Sequence, residues 1–299
     1  MMKIAGHTMG TPEYTLEEAI RLFKEIGLDG VEIIIAQDGY SCAIAQDADD
    51  EQVFAVRKLV EDAGLEVAGI TPYLNQFNDL DEDVRAAECA ALRRVIDMAE
   101  LLGTKNIRIY GGKFLPGEED PKNKKMLRLV QSMRECGDYA AEKGICLNME
   151  NHFGTMTLTA AGSAEIAEAI HRPNVGILYD QANLAFLPAE EYDEAIELQK
   201  KYIKYVHVKD LVYKNGSAGF VCSEVAKVNE DERTVSSRVP GEGILDWKAI
   251  LTKLKSVGYD GWLSLEYERR WHPQDLPDAA EGMKRGGAFV RNLLREIGG

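Results

Sequence analysis

Cysteine is sparse in this chain: Cys42, Cys89, Cys136, Cys146 and Cys222 are an odd number of five at wide spacings. That pattern excludes a disulfide-stapled secreted scaffold and a paired CxxC metal site, and it favours a reducing compartment. Positive charge is also short, with 35 Lys and Arg against 50 Asp and Glu and a formal charge of -15. A surface of that sign disfavours phosphate backbones and anionic headgroups as partners, so neither nucleic acid nor membrane is expected. No apolar run approaches the roughly 18 residues of a membrane span. The opening MMKIAGHTMG places glycine, histidine and polar residues where a signal peptide needs an unbroken apolar segment. A cytoplasmic protein is the expectation. Neither a GxGxxG fingerprint nor a P-loop is present, so no nucleotide cofactor is expected. Only 9 prolines and a 45% hydrophobic content leave no reason to expect disorder.

What the chain does contain is a repeated alternation of strand-like and helix-like segments. Thr15 is placed to cap a helix whose Leu16, Ala19, Ile20, Phe23 and Ile26 share one face, and VEIII follows at 31–35. The cadence continues through EVAGITP, NIRIYGG, ICLNMEN, VGILYDQAN, KYVHVKD and GWLSLEYE, each preceded by helix-compatible sequence. With KIAGH at the start, eight short β segments predict an α/β fold, a single (β/α)8 TIM barrel over residues 1–299. Such barrels commonly use about 250 residues. The excess lies between the seventh and eighth strands, and residues 211–243 are expected to be an insertion or active-site lid.

Near the ends of the later strands, Glu150, Asp180, His207 and Glu266 each interrupt an apolar pattern. A closed barrel gathers such strand ends around one mouth. Three carboxylates and one imidazole, with no thiolate, suit a divalent cation such as Mn²⁺ or Mg²⁺ better than structural zinc. A site of that kind polarises carbonyl or hydroxyl oxygens, which is the chemistry of sugar isomerisation, epimerisation and some eliminations.

MENH at 149–152, YDQAN at 179–183, VHVKD at 206–210, PGEG at 240–243 and LEYE at 265–268 together resemble the xylose isomerase-like TIM-barrel superfamily, in its sugar phosphate isomerase/epimerase group. The resemblance implies that Glu150, Asp180, His207 and Glu266 are metal ligands. It also implies that Glu150 and Glu266 remove and return a proton on opposite sides of a substrate. Two departures narrow it. Asn183 stands where ketose 3-epimerases carry a histidine, and an amide orients a hydroxyl but relays a proton less readily, which counts against simple ketose 3-epimerisation. The early strand ends, ITPYLN and IYGGKF, lack the histidines of the superfamily's abasic-site endonucleases.

Other candidates surround this set. His152, two residues beyond Glu150, is a candidate acid/base; Lys209 is placed to stabilise an oxyanion, and Asp210 to orient His207 or cap the next segment. His7, Glu32, Asn183, Arg270 and His272 are candidate substrate contacts, Trp271 is a candidate sugar-stacking ring, and Glu242 is a loop-shaping residue. The combined expectation is a divalent-metal-dependent isomerase or epimerase of a carbohydrate or keto-sugar. The alternatives are a 3-keto-glycoside lyase resembling the C-glycoside deglycosidases, which would bring a partner subunit, and a non-enzymatic sugar-binding barrel. Helix exteriors of barrels offer surfaces for a homo-oligomer.

Overall fold

The computed structural model describes residues 2–36, 40–186, 190–214, 224–225 and 233–298. The strands are β1 (Lys3–His7), β2 (Gly30–Ala36), β3 (Ala43–Ala45), β4 (Glu66–Pro72), β5 (Asn106–Tyr110), β6 (Cys146–Glu150), β7 (Val175–Tyr179), β8 (Ile203–Val208), β9 (Asp210–Tyr213), β10 (Val235–Arg238) and β11 (Trp262–Leu265). The helices are α1 (Leu16–Glu25), α2 (Asp50–Asp62), α3 (Glu82–Leu102), α4 (Lys124–Glu142), α5 (Ala160–Ile170), α6 (Gln181–Leu184), α7 (Tyr192–Gln199), α8 (Trp247–Ser256) and α9 (Ala279–Glu296). Helix starts are set by side-chain caps. Thr15 with Glu18 and Asp49 with Gln52 form reciprocal capping boxes on α1 and α2, and Asp81, Thr159, Asp246 and Asp278 cap α3, α5, α8 and α9.

Eight strands run parallel in the order β1-β11-β8-β7-β6-β5-β4-β2, and β2 returns to pair with β1, closing a barrel. Strand β3 adds to the rim beside β2. Period-two alternation sorts the side chains. Ile107 and Ile109, Leu147 and Met149, Val206 and Val208, and Leu263 and Leu265 face outward and are buried in the layer beneath the helices. Truncating one of these to alanine would cost ~2–5 kcal/mol, the usual range for a buried aliphatic side chain.

Inside the barrel the residues change character along the axis. Ala5, Ala68, Leu178 and Tyr205, with Trp262 against them, form a small apolar plug. One inward position further along these and neighbouring strands come His7, Glu32, Arg108, Glu150, Asp180, His207 and Glu266, all buried. Polar groups at that depth require partners, and they find them in one another at the C-terminal mouth.

The segment after β8 does not continue as a plain loop. β9 and β10 pair antiparallel, with Asp210 opposite Arg238. The Asp210 carboxylate accepts N–H groups from Leu211 at 2.9 Å, Gly241 at 3.0 Å, Gly243 at 3.1 Å and Leu245 at 3.2 Å. It therefore staples the PGEG turn to the base of this hairpin, and orienting His207 falls to another residue. Gly243 is obligatory in that packing, since a Cβ would lie 2.0 Å from Asp210 Oδ1. Of the lid expected over 211–243, residues 215–223 and 226–232 lie outside the described residues. Among the described residues Cys42, Cys89, Cys136 and Cys146 are free, and no helix is long and apolar enough to cross a membrane.

Candidate active site

The barrel brings Glu150 from β6, Asp180 after β7, His207 from β8 and Glu266 after β11 into one cluster, each offering a ligand atom within 4.8 Å of the others. His207 Nδ1 lies 3.2 Å from Glu150 Oε1 and 3.4 Å from Glu266 Oε2. Asp180 caps α6 with Oδ1, which accepts the Asn183 N–H at 2.9 Å, while its buried Oδ2 faces the Lys209 ammonium at 3.2 Å. Six-coordinate ions with bonds of ~2.1 Å hold neighbouring ligand atoms about 3 Å apart and opposed ones about 4 Å apart. The cluster has that size, and its donors are hard oxygens plus one imidazole. These residues fit a divalent cation.

Glu32 explains how His207 is aimed. Its oxygens lie 3.2 and 3.1 Å from His207 Nε2, and Thr71 Oγ1 donates to it at 2.5 Å. A carboxylate on Nε2 holds the proton there and leaves the Nδ1 lone pair for the cluster, the usual support for a metal-ligating histidine. Glu32 was expected to contact substrate; the structure instead places it wholly buried behind His207. His7 is buried beside it. Its Nδ1 accepts the Met9 N–H at 3.0 Å, so Nε2 carries the proton, 3.6 Å from Glu32 Oε1.

Burial works against charge on every member, and local partners decide the outcome. At Glu150 the Arg108 guanidinium outweighs burial and holds the carboxyl at about 2. At Glu266 burial is overcome by Lys209 and His207, which keep it well below the usual carboxylate range. At Asp180 burial wins over Lys209 and raises the carboxyl to about 7. His207 is raised against burial by Glu32 and Glu266. Glu150 and Glu266 are thus maintained as bases, whereas Asp180 is the carboxylate whose charge most needs a further cation.

Among the other sequence candidates, Lys209 is buried in the cluster, 2.8 Å from Glu266 Oε2 and 3.2 Å from Asp180 Oδ2. Asn183 donates to Asn151 O at 2.8 Å and reaches Glu150 Oε1 at 3.4 Å. His152 lies past the end of β6, its ring edge-on to Tyr110 at 4.9 Å. Its Nδ1 is 2.8 Å from Phe153 O, an acceptor only, so the proton sits on Nδ1 and Nε2 is the basic nitrogen. Burial pushes this imidazole down to about 4, so it is neutral near pH 7. Arg270, Trp271 and His272 are not in the cluster; they occupy the outer loop after β11, with Arg270 stacked over Tyr40 and the His272 N–H on Glu268 O at 2.9 Å. Glu242 pairs with Arg285 at 2.7 Å on the exterior.

Two residues escaped the sequence reading. Arg108 is buried on β5, ion-paired with Glu150 and stacked 3.8 Å from the Tyr110 ring centroid. Its signal was available, because Asn106, Arg108 and Tyr110 alternate with two isoleucines and so share the inward face. Glu268 joins Lys209 Nζ at 3.3 Å to Ser237 Oγ of β10 at 2.7 Å, tying the cluster to the hairpin. Nothing local in YERRWHP announces that bridge.

Comparisons with known proteins agree with this fold. An inosose dehydratase of Geobacillus thermodenitrificans is 30% identical over 149 residues, covering 47% of this chain and 46% of that protein. The chain thus matches about half the length of that curated relative. The structure of L-ribulose 3-epimerase superposes with a TM-score of 0.78 at 20% identity, covering 99% of this chain and 96% of the other. That of a 3-keto-D-glucoside 4-epimerase from E. coli superposes with a TM-score of 0.73 at 20% identity, covering 98% and 100%. The family described as xylose isomerase-like TIM barrel matches residues 20–293, and the chain belongs to that family.

Proposed function

We propose that this protein is a divalent-metal-dependent isomerase or epimerase of a carbohydrate or keto-sugar, with Mn²⁺ or Mg²⁺ held by Glu150, Asp180, His207 and Glu266. The carrying observation is that Glu150 and Glu266 flank His207 Nδ1 at 3.2 and 3.4 Å, both kept ionised inside a buried mouth. They stand at the two ends of the arc β6-β7-β8-β11, so a substrate between them meets a base on either side. The cation would supply Lewis-acid polarisation of a substrate carbonyl or hydroxyl. One glutamate takes a proton from the carbon beside the carbonyl, and the other, after drawing a proton from solvent, delivers it at the altered centre. The Lys209 ammonium, kept protonated against burial by Asp180 and Glu266, donates to oxygen that gains negative charge. The Asn183 amide orients a hydroxyl.

A keto-sugar panel incubated in D₂O with Mn²⁺ tests this reading. Solvent deuterium should enter at the carbon next to the carbonyl, and E150Q and E266Q should each lose about 10²–10⁴-fold in turnover with unchanged circular dichroism. Full turnover in either variant under saturating metal would refute the paired role.

Elimination is the second reading, and neutral His152 favours it. An imidazole with a free Nε2 can take a proton or deliver one to a leaving group, and the matching stretch of a curated relative belongs to an inosose dehydratase. Product mass separates the two: isomerisation conserves it, whereas elimination loses water or an aglycone. H152A should abolish elimination while leaving deuterium exchange measurable. The same reading places the protein in the cytoplasm, acting on a small carbohydrate.

A further inference from the structure

The ligands come from the ends of β6, β7, β8 and β11, and a run of aromatic rings begins beside them. From His152 beside the cluster, ring contacts pass to Tyr110 at 4.9 Å, to Tyr73 at 6.4 Å and to Trp271 edge-on at 6.5 Å. Beyond Trp271 the Arg270 guanidinium lies 5.1 Å from that ring and 3.0 Å from the centroid of Tyr40. Exposure rises along this path, from 1% at Tyr110 to 39% at Trp271 and 38% at Tyr40. Among the described residues only Phe54 is a further exposed aromatic of this kind. Two of the three therefore sit together on the rim, at the outer end of a wall that begins at the cluster.

A single sugar ring held at Glu150 and Glu266 would meet Tyr110 and Tyr73, which flank the Arg108 paired with Glu150, and Trp271 lies one ring contact beyond Tyr73. The outer rings would then have no partner in the reaction. Their placement is costly in water, since exposed aromatic faces gain by covering an apolar or C–H-rich ring surface. The Trp271 ring is also fixed in position, its Nε1 donating to Met9 Sδ at 3.0 Å, the sulfur that the Tyr73 hydroxyl also reaches at 3.6 Å. Arg270 presents a buried Nε with no hydrogen-bond partner.

We propose that Trp271, Tyr40 and Arg270 form a second subsite that holds a ring attached to the reacting sugar, so that the substrate is a glycoside rather than a monosaccharide. The attached ring stacks against Trp271 and Tyr40, and an oxygen near the linkage accepts from Arg270. An aryl aglycone and a second sugar share this flat-ring chemistry. The location of the reacting ring rests on the proposed function; the subsite itself is read from binding.

The test is calorimetric titration of the full chain, with Mn²⁺ present, against glucose, cellobiose and 4-nitrophenyl β-glucoside. At least one glycoside should bind about tenfold tighter than glucose, the range a well-packed ring contact supplies. W271A should bring that glycoside and glucose within about twofold of each other, and W271F should restore much of the difference. Preference for only the aryl or only the disaccharide ligand identifies the attached ring. Equal wild-type affinities, no measurable glycoside binding, or a preference that survives W271A would overturn the subsite. Turnover reports separately: exchange on free keto-sugars without glycoside preference keeps the proposed function and rejects the subsite. Glycoside preference without exchange or elimination does the reverse.

Discussion

Replacing Glu32 with glutamine removes one charge from a buried group set against His207, outside the Glu150–Asp180–His207–Glu266 cluster, and its effect should appear in metal affinity. Glu32 oxygens sit 3.2 and 3.1 Å from His207 Nε2, and both side chains are fully buried. The amide of E32Q is nearly the same size, so packing is retained. The N–H to carboxylate bond becomes a neutral one, and hydrogen bonds to charged groups are worth ~1.5–3 kcal/mol against ~1 kcal/mol for neutral pairs. His207 becomes a weaker donor to any cation on Nδ1, and the amide can also turn its NH₂ toward Nε2 and favour the wrong tautomer. Partners of this kind are worth 10–100-fold in affinity, about 1.4–2.7 kcal/mol at 25 °C. Competition of Mn²⁺ with a fluorescent chelator, for wild type, E32Q and H207A, measures this directly. The expected order is wild type, then E32Q weaker by about 10–100-fold, then H207A weakest. An E32Q dissociation constant within twofold of wild type, in a protein with unchanged melting, would refute the orienting role and return Glu32 to the substrate contacts.

Further outcomes follow from the same contacts. R108M leaves Glu150 buried without its guanidinium and should destabilise the fold by ~3–5 kcal/mol, the usual cost of breaking a buried pair; denaturant unfolding checks it, and a loss under 1 kcal/mol would show that the pair is not isolated from water. D210A strands four N–H donors, two of them in the PGEG turn, and should cost on the order of 3 kcal/mol, with D210N, which keeps an acceptor, losing less. Mn²⁺ at a hundredfold over its dissociation constant should stabilise wild type by about 2.7 kcal/mol, seen as a rise in Tm that a chelator reverses. D180N, which removes one carboxylate of the cluster, should show little of that rise.

The barrel and the four clustered side chains were legible because both depend on strand periodicity. In LNME, VGILYD, YVHVK and LSLE a charged or imidazole group occupies the inward phase of an otherwise apolar strand, which is affordable only where the strand reaches a polar mouth. Arg108 carried the same signal in NIRIY and was passed over, since its role depends on a glutamate 42 residues later. Glu32 was placed at the right end of the barrel, and the structure sets it against His207 Nε2. A side chain at the mouth reads alike whether it faces substrate or the back of a neighbour's imidazole, and only the β1–β2 and β11–β8 registers, which set Glu32 opposite His7 and His207 opposite Ser264, decide between them. Asp210 takes the second of its two expected roles, capping the segment that follows through the Leu211 N–H. It directly follows Lys209, yet alternation turns it from the mouth to the glycine amides of a turn some 30 residues on.

Local order was therefore written in the chain itself: which segments are strands, where helices start, and which strand ends carry carboxylates. These follow from backbone geometry and capping, which act over a few residues. Charge pairing was settled by closure of the barrel. Arg108 with Glu150, Glu32 with His207, and Lys209 with Asp180 and Glu266 are separated by tens to more than a hundred residues. Electrostatic partners inside a protein are chosen by distance across a dry interior rather than by order along the chain. The five cysteines and the shortage of positive charge on the surface narrowed the class of protein; the few cations drawn into the mouth define the site.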